Sequence, residues 1–194
     1  MSLVSTAHDL LRELNTQGVR GCLVGGLAVS VHCDPRFTRD VDLAVVVGSD
    51  SEAEKLAGWL MSKGFRISTL IEQEAADRLA IIRLTTIDGI EIDLLTASSG
   101  IESEIVAQAQ TLEVVRGIQM PVARVGHLIA LKLLAVAPGR ETDMTDLRNL
   151  AKVASQADWE IASIAVDDIT KRGYSRGRDL AFQLRSLRGG DNPS

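Results

Sequence analysis

The side chains with the most chemistry to offer fall between Val24 and Val47, in VGGLAVSVHCDPRFTRDVDLAVVV. Asp40 and Asp42 open a strand-like run, and side chains two apart in a strand point to the same face. Carboxylates converging in this way repel each other until a cation sits between them. An oxygen-rich, water-accessible pair suits Mg²⁺ (or Mn²⁺), which binds few protein carboxylates and completes its shell with water and phosphate oxygens. Gly25 and Gly26 offer the complementary half. Glycines let a ligand come close to the backbone, and the free N–H groups of a helix start attract phosphate. A phosphate cradle joined to an acid pair by one short helix makes a nucleotide-handling site. Each half also has a plain structural alternative: a Gly-Gly turn after a strand, and acids solvated at a strand edge.

A third acid, Asp93, lies in IEIDLL, where alternation puts Glu91 and Asp93 on one face and Ile90, Ile92 and Leu94 on the other. An acid amid apolar strand residues is costly to bury unless it is paired or bound to a cation. Its partner is therefore either a cation in the site or Arg83 on the adjoining strand. Lys132 is the single ammonium in the apolar VGHLIALKLLAV. It either snorkels along its stem or faces an anion. If that anion is a bound phosphate, replacing Lys132 by Met should cost no stability.

These groups need elements to carry them. Helical periodicity runs from Thr6 to Thr16 and stops at Gly18, and Val19–Val24 then leads as a strand into the Gly-Gly turn. Leu27–Cys33 continues as a buried helix, broken at Asp34-Pro35 because the residue before proline is pushed from helical geometry. Val41–Val47 is apolar enough to be a central strand covered on both faces. Further on, Ser51–Lys63 is expected to be helical, Phe65–Leu70 and Arg78–Thr86 extended, and Asp88-Gly89 a hairpin turn into Ile90–Leu95. A helix over Ile101–Gln110 and two short strands around Glu113–Val115 and Gln119–Val122 complete the α/β part. The remainder is helical: Val125–Val136, Trp159–Lys171 and Tyr174–Leu187, followed by a frayed GGDNPS tail.

Composition narrows the classes. With 194 residues, 45% hydrophobic and 24% charged, the chain suits one substantial domain or a lobe with a smaller helical companion. A net charge of −5 and 3% aromatics exclude a protein coated in positive potential or one built on base-stacking platforms. The N-terminal helix lacks the apolar core of a signal peptide, and the longest apolar run contains Lys132 and is too short to span a bilayer. Cys22 and Cys33 lack metal-ligand spacing, so reduced thiols in a cytoplasmic protein are expected. His8, His32 and His127 are scattered, as surface or core histidines are. Neither GxxxxGK nor GxGxxG occurs, which disfavours P-loop and Rossmann binding. Near the C-terminus Lys171, Arg172, Arg176, Arg178, Arg185 and Arg188 face one acid, Asp179. That cluster is a solvated face, a track for a nucleic-acid acceptor or a surface that meets an acidic partner chain.

Val24-Gly25-Gly26 followed by Asp40-Val41-Asp42 resembles the polymerase-β-type nucleotidyltransferase superfamily, with a linker at the long end of the usual range. Arg36-Phe37-Thr38-Arg39, and HLIALKLLA followed by RETDMTDLRNL, resemble its AbiEii-like abortive-infection (toxin–antitoxin) branch. The resemblance implies an α/β fold: a small mixed sheet flanked by helices as catalytic lobe (1–123), then a C-terminal helical region (124–194) walling a cleft. It implies Asp40, Asp42 and Asp93 as catalytic and metal-holding acids, with Asp93 as general base. Gly25, Gly26, Arg36, Thr38, Arg39 and Lys132 are the implied nucleotide contacts, although Arg36 and Arg39 could equally pair with local acids. Asp143 and Asp146 occupy the branch's acidic helix motif, or are simply acids favoured at a helix start; Asp146 could hold Lys132 or Arg148. The implied activity moves a nucleoside monophosphate from a triphosphate to an acceptor hydroxyl. RNA or tRNA lying along the basic C-terminal helix is the candidate acceptor, and an antitoxin protein the candidate partner. The alternatives are an aminoglycoside-type antibiotic as acceptor, or a binding protein that keeps the fold without the chemistry.

Overall fold

A computed structural model describes residues 2–73, 78–136 and 141–189. Residues 190–194 of the expected frayed tail lie outside them, as do residues 74–77 of the acidic IEQEAAD segment, while Gly189, the tail's first residue, ends the last helix. The sheet runs in the order β3-β4-β5-β2-β1-β7-β6. Its strands are β1 (Gly21–Val24), β2 (Asp40–Val45), β3 (Arg66–Gln73), β4 (Arg78–Thr85), β5 (Glu91–Leu95), β6 (Gln110–Val115) and β7 (Ile118–Val122). It is mixed: β2 pairs antiparallel with β1 and parallel with β5, while β1 pairs parallel with β7. The helices are α1 (Leu3–Thr16), α2 (Gly25–His32), α3 (Asp50–Ser62), α4 (Glu102–Ala107), α5 (Val125–Ala135), α6 (Glu141–Val153), α7 (Gln156–Lys171) and α8 (Leu180–Gly189).

The α/β class and nearly every expected element are present. Strand β2 begins at Asp40, so the acid pair opens the strand as its spacing requires. One boundary differs in a way that matters. The last helix begins at Leu180, because Gly173, Arg176 and Gly177 all adopt positive φ and hold Tyr174–Asp179 out of helical geometry.

The core explains why β2 is so apolar. Val41, Leu43 and Val45 are fully buried, and α1 and α4 both contact β2. Helix α1 contributes Leu10, Leu11 and Leu14, and a Ser2–Ser5 capping box fixes its start. Helix α5 is buried nearly all round, packed against α2, α6, α7 and α8. It carries His127 as a core histidine, whose pKa burial pushes down to about 4. Cys22 and Cys33 are both free thiols, and burial pushes Cys22 up to about 12. No helix among the described residues is long and apolar enough to cross a membrane.

Candidate active site

Pairing between β2 and β5 aligns Asp40 with Glu91 and Asp42 with Asp93. Because β1 runs antiparallel to β2 with Val24 opposite Asp42, the Gly25-Gly26 turn lands directly beside the acids. Gly25, Gly26, Asp40, Asp42 and Asp93 line one cleft of about 630 Å³ between the sheet and the helices α5 and α6.

Asp42 sits at the floor of this cleft, half-buried. Burial first, then the charges of Asp40 and Asp93, push its carboxyl up to about 7 against the relief given by Lys132 and by the Gly26 backbone N–H. Asp40 accepts a hydrogen bond from Thr38 Oγ1 at 2.8 Å. Asp93 is held by both arms of one guanidinium: Arg83 Nε donates to Oδ1 and Nη2 to Oδ2, each at 2.7 Å. The Arg83 pairing, one of the two alternatives for Asp93, is therefore formed. It also leaves Asp93 lining the cleft.

The two glycines are demanded by their neighbours. Gly25 has φ +63°, and a Cβ there would lie 1.8 Å from Asp42 Oδ2. A Cβ on Gly26 would meet Arg36 Nη2 at 2.7 Å and Thr38 Oγ1 at 2.9 Å. The turn thus accommodates the acid and the connector as tightly as it would a phosphate. Gly25→Ala should combine left-handed strain of about 1–2 kcal/mol with displacement of Asp42. The expected result is a lower urea midpoint and loss of turnover, and a variant with native stability and rate would refute this packing.

Arg36 and Lys132 share one anchor. Arg36 Nε and Nη2 donate to the two Asp146 oxygens at 2.7 and 2.8 Å, and Nη1 donates to the Phe37 carbonyl at 3.0 Å. Lys132 Nζ contacts Asp143 Oδ1 at 2.7 Å and Asp146 Oδ2 at 2.8 Å. Asp146 has no solvent exposure at all. Lys132 therefore faces anions that belong to the chain, so the expectation that Met would cost no stability here is reversed: removing the ammonium would leave Asp143 and Asp146 short of a buried counter-charge. Of the expected nucleotide contacts, Gly25, Gly26, Arg36, Thr38 and Lys132 line the cleft. Arg39 is not among the lining residues: it is exposed, with its guanidinium 5.7 Å from the Phe37 ring centroid. Arg83, Ser98 and Arg176 line it as well.

The basic C-terminal residues do not form one track. Arg172 binds Glu104 and the Gly100 carbonyl, Arg178 the Leu133 carbonyl, and Arg188 the Gln156 side chain beside Trp159. Arg176 alone of them reaches the cleft.

Among the described residues no three acidic, histidine or cysteine side chains are placed to hold one metal ion together. Asp40 and Asp42 nevertheless fit a divalent cation. They share a strand face, they are carboxylates, and Asp42 is raised first by burial and then by the charge of Asp40, both of which a bound cation would offset.

The fold is that of a nucleotidyltransferase. Residues 4–172 match the nucleotidyl transferases of unknown function (DUF2204), and the chain belongs to that family. In sequence it matches no curated protein. Among solved structures it is similar to an antigenic nucleotidyltransferase-like protein from Paracoccidioides brasiliensis, at 15% identity and TM-score 0.53, over 99% of this chain and 94% of that one. A lincomycin-bound lincosamide antibiotic adenylyltransferase aligns at 15% identity and TM-score 0.48 over 75% of this chain and 94% of its own. The enzyme ANT(2'')-Ia, in complex with adenylyl-2''-tobramycin, aligns at 16% identity and TM-score 0.48 over 96% and 95%.

Proposed function

We propose that this nucleotidyltransferase moves a nucleoside monophosphate from a nucleoside triphosphate to the hydroxyl of a nucleotide or RNA acceptor, using a divalent cation held by Asp40 and Asp42. The observation that carries the reading is the register that sets Asp42 beside Asp93 and beside the Gly25-Gly26 turn, in a cleft rimmed by Arg36, Lys132, Arg83 and Arg176. Residues 1–123 act as the catalytic lobe, and 124–194 supply the helical wall opposite the acids.

The residues divide the work by position. Triphosphate oxygens take the N-terminal N–H groups of α2, with Arg36 and Lys132 offsetting their charge. Bound Mg²⁺ or Mn²⁺ would lower the charge on the triphosphate and make its α-phosphorus more open to attack. An acceptor oxygen forms the new bond to that phosphorus, the α–β bridging bond breaks, and pyrophosphate leaves. The acceptor's proton passes to Asp93, whose two oxygens each accept one Arg83 hydrogen bond and keep a further lone pair for it. Arg83 thereby holds the base in place.

An RNA acceptor, and with it a toxin role countered by an antitoxin protein, draws on the Arg36–Arg39 and HLIALKLLA motifs and on the cationic cleft rim. The test incubates the purified protein with each α-labelled nucleoside triphosphate, Mg²⁺, total RNA and an antibiotic panel. Labelled RNA together with pyrophosphate release is the expected result. Failure to bind any triphosphate by calorimetry, with no acceptor labelled, would overturn the reading.

A further inference from the structure

We infer that Arg176 and Ser98 form a phosphate subsite for the acceptor, so that the acceptor carries its hydroxyl close to a phosphate ester, as a nucleotide or an RNA end does. The inference rests on the transfer reading above, which assigns the Gly25-Gly26 side to the triphosphate and Asp93 to the acceptor hydroxyl.

Strand order then says where the acceptor lies. From the turn outward the sheet runs β1, β2, β5, β4, β3. Asp42, Asp93 and Arg83 sit in one register across β2, β5 and β4. The next cleft-facing row on β5, β4 and β3 is Leu95, Ile81 and Ile71, also in register. An acceptor whose hydroxyl touches Asp93 on the side away from the turn must lie over that row. Among the described residues lining this half of the cleft, Asp93 is the one carboxylate, and Arg83 already offsets it.

Arg176 closes the end of the row. It donates to the Ser98 carbonyl at 3.3 Å and lies 3.5 Å from the Ser98 hydroxyl, just past the end of β5. Its φ of 56° is the one positive value among described residues other than glycine. A left-handed backbone is unfavourable for any residue with a Cβ, and such positions cluster at binding sites. Glycine would relieve the strain, and the chain places one at the very next position, Gly177. The arginine is better explained by its guanidinium than by its backbone. An apolar shelf ending in a guanidinium and a hydroxyl suits a nucleoside face with an adjoining phosphate. Among the described residues on this side, a polycationic acceptor would meet Arg83 and Arg176, with the carboxylate of Asp93 already paired to Arg83.

The test compares the wild type with Arg176→Gly, using a short 5′-labelled oligouridylate with a free 3′ hydroxyl, uridine monophosphate, tobramycin and a non-hydrolysable ATP analogue. The variant should bind the ATP analogue as the wild type does. It should bind the oligonucleotide about tenfold or more weakly. Its log–log salt dependence should fall by about 0.7, the share of one phosphate on a single strand. Competition by uridine monophosphate would assign the site to a mononucleotide, and competition by the oligomer alone to RNA. Equal oligonucleotide affinity and slope in the two proteins would overturn the inference. So would a wild type that accepts tobramycin and ignores the oligonucleotide. Loss of ATP-analogue binding by the wild type would instead count against the transfer reading.

Discussion

Asp42→Asn is expected to abolish nucleotidyl transfer and to raise the melting temperature of the metal-free protein above neutral pH. The amide keeps the shape of the side chain and removes the charge that Asp40 and Asp93 oppose. The native carboxyl is raised from 3.8 to about 7, so the native state holds its proton more tightly than the unfolded chain. The stability this provides is complete below about pH 4, declines as the pH rises, and is gone above about 7. Asparagine titrates nowhere, so the two melting curves should diverge across that window. The gap at pH 8 should be on the order of 3 kcal/mol, below the full shift because the side chain meets cleft water. Mg²⁺ should recover much of the gap for the wild type and little for the variant. Transfer by the variant at the wild-type rate would remove Asp42 from the mechanism.

Asp146→Asn should produce the largest loss of stability. The carboxylate is fully buried and satisfies Arg36 and Lys132 together, and it joins the connector after α2 to α5 and α6. An amide offers one acceptor oxygen and turns an N–H₂ group towards a cation. Breaking a buried pair from one side costs about 3–5 kcal/mol. The urea midpoint should fall with little change in slope. The KM for nucleoside triphosphate should rise, because Arg36 and Lys132 both line the cleft and lose a shared anchor. That rise separates a positioning role from a purely structural one. A variant within about 1 kcal/mol of wild type, at unchanged KM, would show that the network stabilises neither fold nor site.

The acids of this site were legible in the sequence because they obey a local rule. A two-residue strand period puts Asp40 and Asp42 on one face, and the same rule puts Asp93 opposite the apolar side of β5. The partners of those acids were far less legible. Arg83 stood as an alternative for Asp93 because a hairpin joins their strands. Arg36 and Asp146 stand 110 residues apart, and no period or turn chemistry links them. Sequence alone drew Gly25 towards phosphate, whereas its tightest neighbour is Asp42, a contact set by the β1–β2 register. The basic C-terminal stretch looked like one face because its residues are close in sequence. Left-handed turns at Gly173, Arg176 and Gly177 break that face, and Arg172, Arg176, Arg178 and Arg188 each meet a different partner. Those glycines were the available signal that the helix would start late.

The turn and the acid pair come from neighbouring stretches of chain, with Val24 set opposite Asp42, whereas the Arg36–Asp146 link must close a loop of 110 residues. Short loops close at lower entropic cost than long ones. Assembly should therefore have an order, with β1, α2 and β2 meeting early and the α6 network locking last. Conservative substitutions at Leu43 should slow refolding, while those at Leu147 should mainly speed unfolding, as stopped-flow chevrons would read it. The reverse pattern would place the nucleus in the helical region. The acids of the cleft would then be drawn together while the wall above them is still unformed, and the last contacts made in folding would be the first available to loosen when substrates enter.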